Sequence, residues 1–452
     1  MPVLTAARSA IRRAARWTYD AATPSNRRRA PRAVLQSEDA ALPPSQRRLV
    51  VAGTRDLRRN FEVAAWAIRL HLSFIADQTF EAKTGDPGFD RELEDFVAWW
   101  GRPANFDAAG RHGMRRAFHL AEACRVTDGD VFAHRVKDGT TAWIEGDRIR
   151  DRLGHPEYKH GVRTARSGRA LSYALHNRAG SGFAYDRDLP ARYVDQLAYF
   201  DRFDQTRGVS PLAPALNRLR DVYEGFDYAL AKAKLSQLFG LALFREDDES
   251  VGDVETREGE DGEEIKSAAE IRFGEGPFQL DLAQDDKVDL LESKTPSTEF
   301  GAYSNLMIEV ALKALDIPMI YFDESRTNFS GARGAVILYE MACRAKQADV
   351  IELRTGLTYW RLALAVLDGD LSLPRGWELR DVEFDWIPAA MHWINPLQEV
   401  KADVEAIREG LNSPQRVCKR RQVDFDDILT ELAEARQKLN ALPPAPGKDP
   451  RP

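Results

Sequence analysis

Residues 295–347 constrain the fold more strongly than any other stretch of this chain. Apolar residues recur every three or four positions in both halves of the stretch, as they do along one face of a helix. The run Leu315-Asp316-Ile317-Pro318 ends the first half, because the residue before a proline is driven out of the helical region. A polar turn over residues 323–331 follows. The pattern predicts two helices around an irregular loop, and both an ordinary hairpin and a loop held out for a function remain open.

Two of the predicted helices carry an apolar stripe. The earlier one begins at Pro211, is predicted to run to residue 244, and has a heptad-like spacing that indicates a packing seam. The later one spans residues 297–315. The stripes consist of Leu216, Leu219, Tyr223, Phe226 and Leu230 in the earlier helix, and of Phe300, Tyr303, Met307, Val310 and Ala314 in the later one.

The remaining patterns predict an α+β fold that is mainly helical. Helical spacing begins at Thr54 and recurs over residues 89–100 and 109–124. Between residues 126 and 200 the apolar period changes to two, which predicts a small, mostly antiparallel β region. Short strands are expected again at 270–273, 278–282 and 288–291, an irregular stretch at 371–386, and helices after Asn395.

Charge is distributed unevenly along the chain. Residues 1–50 hold ten arginines and three acids, which predicts a basic flexible arm or, alternatively, a contact to nucleic acid or an acidic partner. Residues 246–264 hold eleven acids and one basic residue, Arg257, which predicts a solvated loop. The formal net charge of −7 argues against a protein that grips nucleic acid with its whole surface.

The cysteines and the hydropathy bear on the compartment. Three cysteines far apart in the sequence fit a reducing compartment, with no disulfide framework and no cysteine-based zinc site. No apolar run approaches the roughly 18 residues that a membrane span needs. The N-terminal arginines are not followed by the apolar core of a secretory signal. We therefore expect a soluble chain, intracellular when made, without a membrane partner.

The sequence carries none of the common catalytic or cofactor motifs. It has no G-x-x-x-x-G-K-[ST] phosphate loop and no G-x-S-x-G nucleophile elbow. Pro156 lies between His155 and His160 and disfavours the single helical face that a histidine metal pair needs. We expect no catalytic residue, no metal and no cofactor. The alternative is a helical enzyme whose site uses Asp147 or His134.

Several short motifs follow one another in a characteristic order. They are Asp56-Leu57-Arg58-Arg59-Asn60, residues 143–149, Gly161-Val162 with Gly168-Arg169 and Tyr173, Phe200-Asp201-Arg202-Phe203, residues 205–212, Phe300, Asp316-Ile317-Pro318, Asn328-Phe329-Ser330-Gly331-Ala332-Arg333, and residues 395–399 with Gly410. Each motif is weak alone, but their shared order is specific. Together they resemble the lambda-type portal proteins of tailed bacteriophages, over residues 10–440.

The resemblance implies a ring, usually dodecameric, at one vertex of a capsid, through which DNA is packaged and ejected. It also divides the chain into named regions. These are a basic arm (1–50), a wing (51–205), a first stem helix (206–244), a clip with the acidic insert (245–295), a second stem helix (296–320), a tunnel loop (321–331), a long helix returning to the wing (332–394), crown helices (395–442) and a tail (443–452). The stem stripes would pack against each other or against a neighbouring subunit.

The resemblance also implies functional residues and partners. The loop in the channel would contain Asp323, Glu324, Ser325, Arg326, Thr327 and Asn328, and the partner surface of the clip would contain Asp247, Asp248, Glu260 and Asp261. The implied partners are copies of the chain, double-stranded DNA that is not read in sequence, the large terminase subunit, the head–tail connector, and the major capsid and scaffold proteins. The implied location is the portal vertex of the virion, and the host cytoplasm during assembly.

Two departures from the family pattern bear on these roles. Family members often carry a lysine where Gln398 stands, and the acidic insert at 246–264 points to a basic partner surface. The alternative is a portal-like ring from a gene transfer particle or a domesticated prophage. Neighbouring genes for terminase, head protease and major capsid protein would separate an intact phage from a remnant.

Overall fold

The computed structural model describes most of the chain between residues 36 and 441. The described residues are 36–180, 182–238, 241–244, 257–258, 264–265, 287–290, 298–323, 325, 329–389, 396–421, 423 and 425–441. The expectations for residues 1–35, for strands at 270–273 and 278–282, and for the tail at 443–452 lie outside them.

Helices dominate a mixed helical and β-sheet fold, as predicted. The helices are α1 (Glu38–Ala41), α2 (Pro44–Asn60), α3 (Glu62–Ile75), α4 (Pro87–Trp100), α5 (Pro103–Phe106), α6 (Met114–Asp128), α7 (Leu216–Leu238), α8 (Thr298–Leu312), α9 (Phe329–Asp368), α10 (Pro396–Arg408), α11 (Pro414–Arg420) and α12 (Phe425–Ala441). Short 3₁₀ turns lead into α7 at Ala213–Ala215 and follow α8 at Lys313–Leu315 and Met319–Tyr321.

The strands pair antiparallel in small sheets, and the predicted β region between residues 126 and 200 is confirmed. The strands are β1 (Gln78–Ala82), β2 (Asp130–Arg135), β3 (Thr141–Glu145), β4 (Tyr158–Lys159), β5 (Val162–Thr164), β6 (Ala170–Ala179), β7 (Gly182–Pro190), β8 (Val194–Ala198), β9 (Leu241–Phe244), β10 (Arg257–Glu258), β11 (Glu264–Ile265), β12 (Lys287–Leu290) and β13 (Phe384–Pro388). The sheets have the orders β3-β2-β8 and β4-β5-β6-β7, with three further pairs β1-β13, β10-β11 and β12-β9.

Helix α2 begins at Pro44, earlier than the predicted start at Thr54, and α1 precedes it. Proline is favoured in the first turn of a helix, because its missing N–H would have no partner there. Farther along α2, Arg47 donates to the backbone oxygen of Asp128 over 3.1 Å and pairs with Asp130. The expectation of a flexible arm that extends to residue 50 is therefore wrong for residues 36–50.

One large core joins α2, α3, α6, α7, α8 and α9. Helix α9 faces this core with Tyr339, Cys343, Val350 and Leu357, all buried and spaced in multiples of the helical period. It runs unbroken from Phe329 to Asp368, although interruptions were predicted. Each glycine inside a helix costs about 1 kcal/mol relative to alanine, and burial of the core face outweighs that cost here.

Strand β13 was not predicted, because residues 371–386 were expected to be irregular. Its partner is β1, and Lys83 and Asp385, which are 302 positions apart, form an ion pair beside the two strands. Phe80 of β1 packs against Phe384 and Trp386, with ring centroids 5.2 Å apart in both cases. A strand stabilised by so distant a partner leaves little signal in its own sequence.

Helix α7 ends at Leu238, so the predicted continuation of this helix to residue 244 is wrong. Residues 241–244 form β9 instead, and Leu243 lies opposite Val288 of β12. The run from Leu241 to Phe244 is apolar throughout, a pattern that short helices and buried strands share. The predicted strand at 288–291 is confirmed to within one residue by β12.

The three C-terminal helices begin and end close to the predicted signals. Helix α10 starts at Pro396, and Gly410 beyond its end has a φ of 73°, a left-handed conformation that glycine adopts without strain. The hydroxyl of Ser413 accepts a hydrogen bond from the backbone N–H of Arg416 and caps α11. Lys419 of α11 forms an ion pair with Asp385, which joins this helix to β13.

Candidate subunit interface and channel loop

Helices α7 and α8 pack against each other, and the end nearest the core is buried. The buried residues at this end are Leu216, Leu219 and Val222 of α7, and Ser304, Ile308, Ala311 and Leu312 of α8. Leu216 and Leu219 belong to the predicted stripe of α7. In the later stripe, Met307 and Ala314 are partly buried against this core, whereas Tyr303 is exposed, because the buried face of α8 is centred on Ile308.

Farther from the core, the predicted stripes reach the surface of the subunit. Phe226 packs edge-on against Phe300 with ring centroids 5.9 Å apart, yet 41% of Phe226 is exposed. Other predicted residues are exposed or half-buried: Tyr223 (36%), Leu230 (54%), Tyr303 (60%) and Met307. We call Tyr223, Phe226, Leu230 and Tyr303 the stem surface. Exposed apolar patches of this kind mark contact sites for other proteins.

The chain turns a fixed corner after α8, at the predicted Asp316-Ile317-Pro318 stop. Asp316 has a φ of 63°, and Ile317 is fully buried. Lys346 of α9 binds the corner, because its Nζ lies 2.7 Å from Asp316 Oδ2 and donates to the backbone oxygen of Leu315 over 2.9 Å. The left-handed residue and the ion pair together hold the direction in which the chain enters the loop.

Aromatic rings hold the start of the loop against α3 and α9. Tyr321 packs on Phe74 and on Tyr339, with ring centroids 6.1 Å and 5.6 Å apart, and Phe322 packs on Trp66 at 5.8 Å. Burial raises the pKa of the Tyr321 hydroxyl above its ordinary value, so the ring carries no charge at neutral pH. Tyr321 and Phe322, at the start of the loop, are therefore anchored to the subunit.

Two of the six predicted loop residues, Asp323 and Ser325, belong to the described part of the chain. Asp323 Oδ1 accepts hydrogen bonds from the backbone N–H of Ser325 over 3.1 Å and from its hydroxyl over 2.6 Å, which forms a tight local turn. The other predicted loop residues lie outside the described residues: Glu324, Arg326, Thr327 and Asn328. The predicted clip residues Asp247, Asp248, Glu260 and Asp261 lie outside them as well.

The motif at residues 205–212 surrounds a buried ion pair. Arg207 donates from Nε and Nη2 to the two carboxylate oxygens of Asp130, over 2.5 Å and 2.8 Å. Its other donors reach the backbone oxygens of Ile149, His160 and Gly146 over 2.9, 2.7 and 2.6 Å. Arg47 adds a second cation 3.1 Å from Asp130 Oδ1. We call Arg47, Asp130 and Arg207 the Asp130 hub.

Two glycines allow the backbone to come close enough to form the hub. A Cβ atom on Gly208 would lie 2.1 Å from the backbone oxygen of Gly129, which itself has a φ of 94°. Burial alone would raise the pKa of Asp130, but Arg207 and Arg47 beside it hold that pKa below its usual value. The hub thus joins α2, β2 and the segment before α7 around an ionised carboxylate. The motif at residues 205–212 did not predict this ion pair, because Asp130 lies far away in sequence.

A second buried charge group lies where α3, α6 and α9 meet. Arg125 Nε lies 2.7 Å from Glu122 Oε2, Arg125 Nη1 lies 2.7 Å from Asp349 Oδ2, and His71 Nε2 lies 2.8 Å from Glu122 Oε1. Burial would raise the pKa of Glu122, but Arg125 and His71 lower it to about 2. Burial lowers the pKa of His71, so the neutral imidazole donates its Nε2–H to the carboxylate. This group was not predicted from the sequence; the Glu-x-x-Arg spacing of Glu122 and Arg125 in α6 was the available signal.

Comparison with known proteins assigns these features to a family. The model of the phage portal proteins of the lambda family matches residues 25–347, including the hub motif, the Asp316-Ile317-Pro318 corner and the whole loop-bearing stretch at 295–347. The chain belongs to this portal family. A probable portal protein of Halomonas phage phiHAP-1 is 23% identical in an alignment over 386 residues that covers 79% of this chain and 72% of the relative.

Solved structures are similar to this portal protein in fold. A chain in the virion of a native gene transfer agent particle matches with a TM-score of 0.50 and 14% identity, over 83% of this chain and 99% of that one. A chain from the neck of the native gene transfer agent particle, computed with C12 symmetry, matches with a TM-score of 0.49 and 14% identity, over 87% and 94% of the two chains. At 14% identity, the match to the chain of the virion shows that the two chains share a fold.

The two residues of the alternative enzyme hypothesis occupy structural positions in this portal protein. Asp147 Oδ2 lies 3.1 Å from Arg55 Nη1 and 3.3 Å from Arg178 Nη2. His134 lies on β2, where burial and Arg187 lower its pKa. The portal family is structural.

Among the residues that the structure describes, no three His, Cys, Asp or Glu side chains come together as metal ligands. No helix in the same part of the chain has both the length and the apolar composition for crossing a bilayer. Burial raises the pKa of the Cys124 thiol to about 12 and that of Cys343 to about 11, so both thiols are protonated at neutral pH.

Proposed function

We propose that the chain assembles into a portal ring, dodecameric as is usual in its family, at one vertex of a capsid. The observation that carries this proposal is the stem surface, a run of exposed apolar side chains in a chain of the lambda-type portal family. A head-to-tail interface that closes on itself produces a ring. Burying a Phe or Leu side chain fully contributes about 1.5–3 kcal/mol, so the half-exposed stem surface would add a few kcal/mol per interface.

We further propose that the predicted tunnel loop at 321–331, whose last three residues belong to α9, contacts duplex DNA in the channel. The fixed corner at Asp316 and the anchored ring of Tyr321 support this role, because a loop with a fixed base can touch a moving duplex without being carried along. The chain's net charge of −7 suits a conduit, since every phosphate contact would hold the DNA in place. Reading of bases in a groove would likewise obstruct sliding.

The remaining roles are proposed from family membership. The clip, with Asp247, Asp248, Glu260 and Asp261, would face the large terminase subunit during packaging and the head–tail connector afterwards. The wing at residues 51–205 would face the major capsid and scaffold proteins. The ring would form in the host cytoplasm and remain at the portal vertex of the virion.

A portal ring in a gene transfer particle is the second candidate. The likeness to a chain of the gene transfer agent virion favours it, although the likeness is one of fold. Both candidates share the ring and the channel and differ in the DNA that is carried. Neighbouring genes for terminase, head protease and major capsid protein, followed by sequencing of the packaged DNA, would separate them.

Deletion of residues 323–328 tests the channel role. We expect rings and capsids to assemble, and the amount of packaged or retained DNA to fall, because the contact with DNA is lost while the anchored base remains. A glycine–serine replacement of equal length separates the effect of length from that of the side chains. Normal packaging by the deletion variant would exclude a channel role for the loop.

A further inference from the structure

A cavity of about 410 Å³ lies between α2 and the segment that follows β3. Its apolar wall consists of Pro44, Val51, Ala52, Ile149 and Phe183. Arg47 and Arg207 of the Asp130 hub form another part of the wall, and Arg207 is already fully engaged inside the subunit. The cavity is therefore an apolar recess in an otherwise charged surface.

Two arginines that line the cavity, Arg48 and Arg150, have no carboxylate partner among the residues that the structure describes. The Arg150 guanidinium lies over the Phe183 ring, 4.0 Å from its centroid. Stacking holds a guanidinium by its face and leaves its N–H edges for a ligand. Burial and the nearby charge of Arg48 lower the pKa of Arg150, which indicates that the two cations are close and repel each other.

The carboxylates that line the cavity are already engaged. Asp128 and Asp147 bind Arg55, and Asp151 Oδ1 accepts a hydrogen bond from the backbone N–H of Gly161 over 2.7 Å. The hydrogen bond from Gly161 leaves the charge of Asp151 in place, and Asp147 also attracts Arg150. Five arginines and three aspartates line the cavity, so its lining keeps a net positive charge, which is complementary to an apolar side chain flanked by acids.

We propose that this cavity binds an acidic peptide segment of another protein, with one apolar side chain in the recess and its carboxylates on Arg48 and Arg150. A duplex has no apolar side chain to insert into a recess, whereas a peptide does. Protein interfaces often place an apolar anchor in such a pocket and surround it with polar contacts. The proposal does not depend on ring formation, so imaging of rings and binding of a peptide fail or succeed separately.

The chain itself is a poor source for this segment. Residues 1–35 hold eight arginines and one acid, so this stretch has the same sign of charge as Arg48 and Arg150. The acidic stretch at 246–264 follows α7, whose first residue, Leu216, lies beside Gly53 of α2. The 23 residues of α7 carry the chain about 34 Å away from that point. A segment of a different protein is the occupant that these positions favour.

The test uses the full-length protein and fluorescein-labelled hexapeptides with four acidic residues around a central leucine, phenylalanine or tryptophan, measured by fluorescence anisotropy. Two matched sets replace the apolar residue with serine or the acids with lysine. We expect binding only where both features are present. A benzoylphenylalanine in the central position should cross-link to Val51, Ala52 or Phe183, as mapped by mass spectrometry.

Two double variants distinguish the effect of Arg48 and Arg150 from the effect of surface charge in general. The R48Q/R150Q variant should lower the affinity about tenfold, since two partly exposed ion pairs are lost. The R166Q/R169Q variant removes two exposed arginines in the turn between β5 and β6 and should bind as the unmodified protein does. Circular dichroism of both variants checks that the fold is retained. The Ala52→Trp variant should fill the recess and remove the advantage of the apolar residue.

Four outcomes would overturn the proposal. The first is that none of the acidic peptides binds, and the second is that both double variants lose affinity equally. The third is displacement of the peptide by a closed circular duplex, which cannot thread a channel, with a salt dependence that R48Q/R150Q weakens; the surface would then bind nucleic acid. The fourth is binding of a peptide of residues 246–264 alone, which would make a second copy of this chain the occupant.

Discussion

The Asp130 hub and the stem surface differ in whether one subunit completes them. In the hub, the five donors of Arg207 all find acceptors inside the same chain, and the carboxylate of Asp130 is shared with Arg47. On the stem surface, Phe226 and Tyr303 are 41% and 60% exposed in the same subunit. The first region is complete within one chain, whereas the second leaves its apolar area uncovered.

The difference indicates which level of organisation each region serves. A buried charge without a partner costs several kcal/mol, so a change in the hub should act on the folded subunit itself. An exposed aromatic side chain contributes little to the fold of one subunit but more to an interface that covers it. Substitutions in the two regions should therefore separate folding from assembly.

The largest effect on folding is expected from Asp130→Asn. The substitution leaves Arg207 and Arg47 buried beside a neutral amide, and the free energy of unfolding should fall by about 3–5 kcal/mol. Urea denaturation measures the change. The control is Glu340→Gln, which breaks an exposed pair with Arg344 and should cost no more than about 0.5 kcal/mol. A similar small loss for both variants would show that the hub stabilises the folded subunit no more than an exposed ion pair does.

Two glycine substitutions test the close approach of the backbone at the hub. Gly208→Ala places a Cβ atom against the backbone of Gly129 and should lower the free energy of unfolding by about 2–3 kcal/mol. Gly334→Ala in α9 meets open space and should raise it by up to about 1 kcal/mol. Thermal unfolding of the two variants should move in opposite directions. Shifts of the same sign would contradict the close approach at the hub.

The Phe226→Asp variant tests whether the stem surface serves assembly rather than folding. A charge on the stem surface would have to be buried between subunits, so we expect assembly to fail and single subunits to remain. Circular dichroism should show that helix content is retained, because Phe226 is partly exposed in the subunit. Asp227→Asn, at the next and also exposed position, is the control and should assemble. Rings formed by Phe226→Asp would exclude the stem surface as an interface.

The smallest effect is a pH dependence from the second buried charge group. Burial holds the pKa of His71 below 6.5, so the unfolded chain gains a proton that the folded chain does not as the pH falls through that value. Stability should decrease from pH 7 to pH 5, by at most about 1.4 kcal/mol per pH unit. Glu122, with a pKa of about 2, adds a further loss below about pH 4.5. Urea denaturation should give a flatter pH profile for His71→Gln than for His155→Gln, which changes an exposed histidine.

The parts of the fold that local chemistry determines were predictable from sequence. Pro318 fixed the end of α8, Ser413 the start of α11, and the change of apolar period the β region. The wrong or missing predictions depend on distant partners. Residues 241–244 form a strand because β12 pairs with them, and β13 forms because Phe80 packs against it.

The candidate site divides in the same way. The corner at Asp316 was readable from the proline that follows it, and the stripe of α7 from its spacing. The ion pair between Arg207 and Asp130 was not readable, because nothing in either local pattern names its partner 77 positions away. Which end of the stripe the subunit buries likewise depends on how α7 meets the core. The roles of the loop and clip residues remain predictions.

Negative-stain imaging with mass photometry of the purified protein tests the central claim, that the stem surface is completed only by a neighbouring subunit. The account predicts rings with a central hole and a mass near that of twelve subunits, together with single, folded subunits for Phe226→Asp. Compact monomers or dimers of the unmodified protein at every concentration would contradict it.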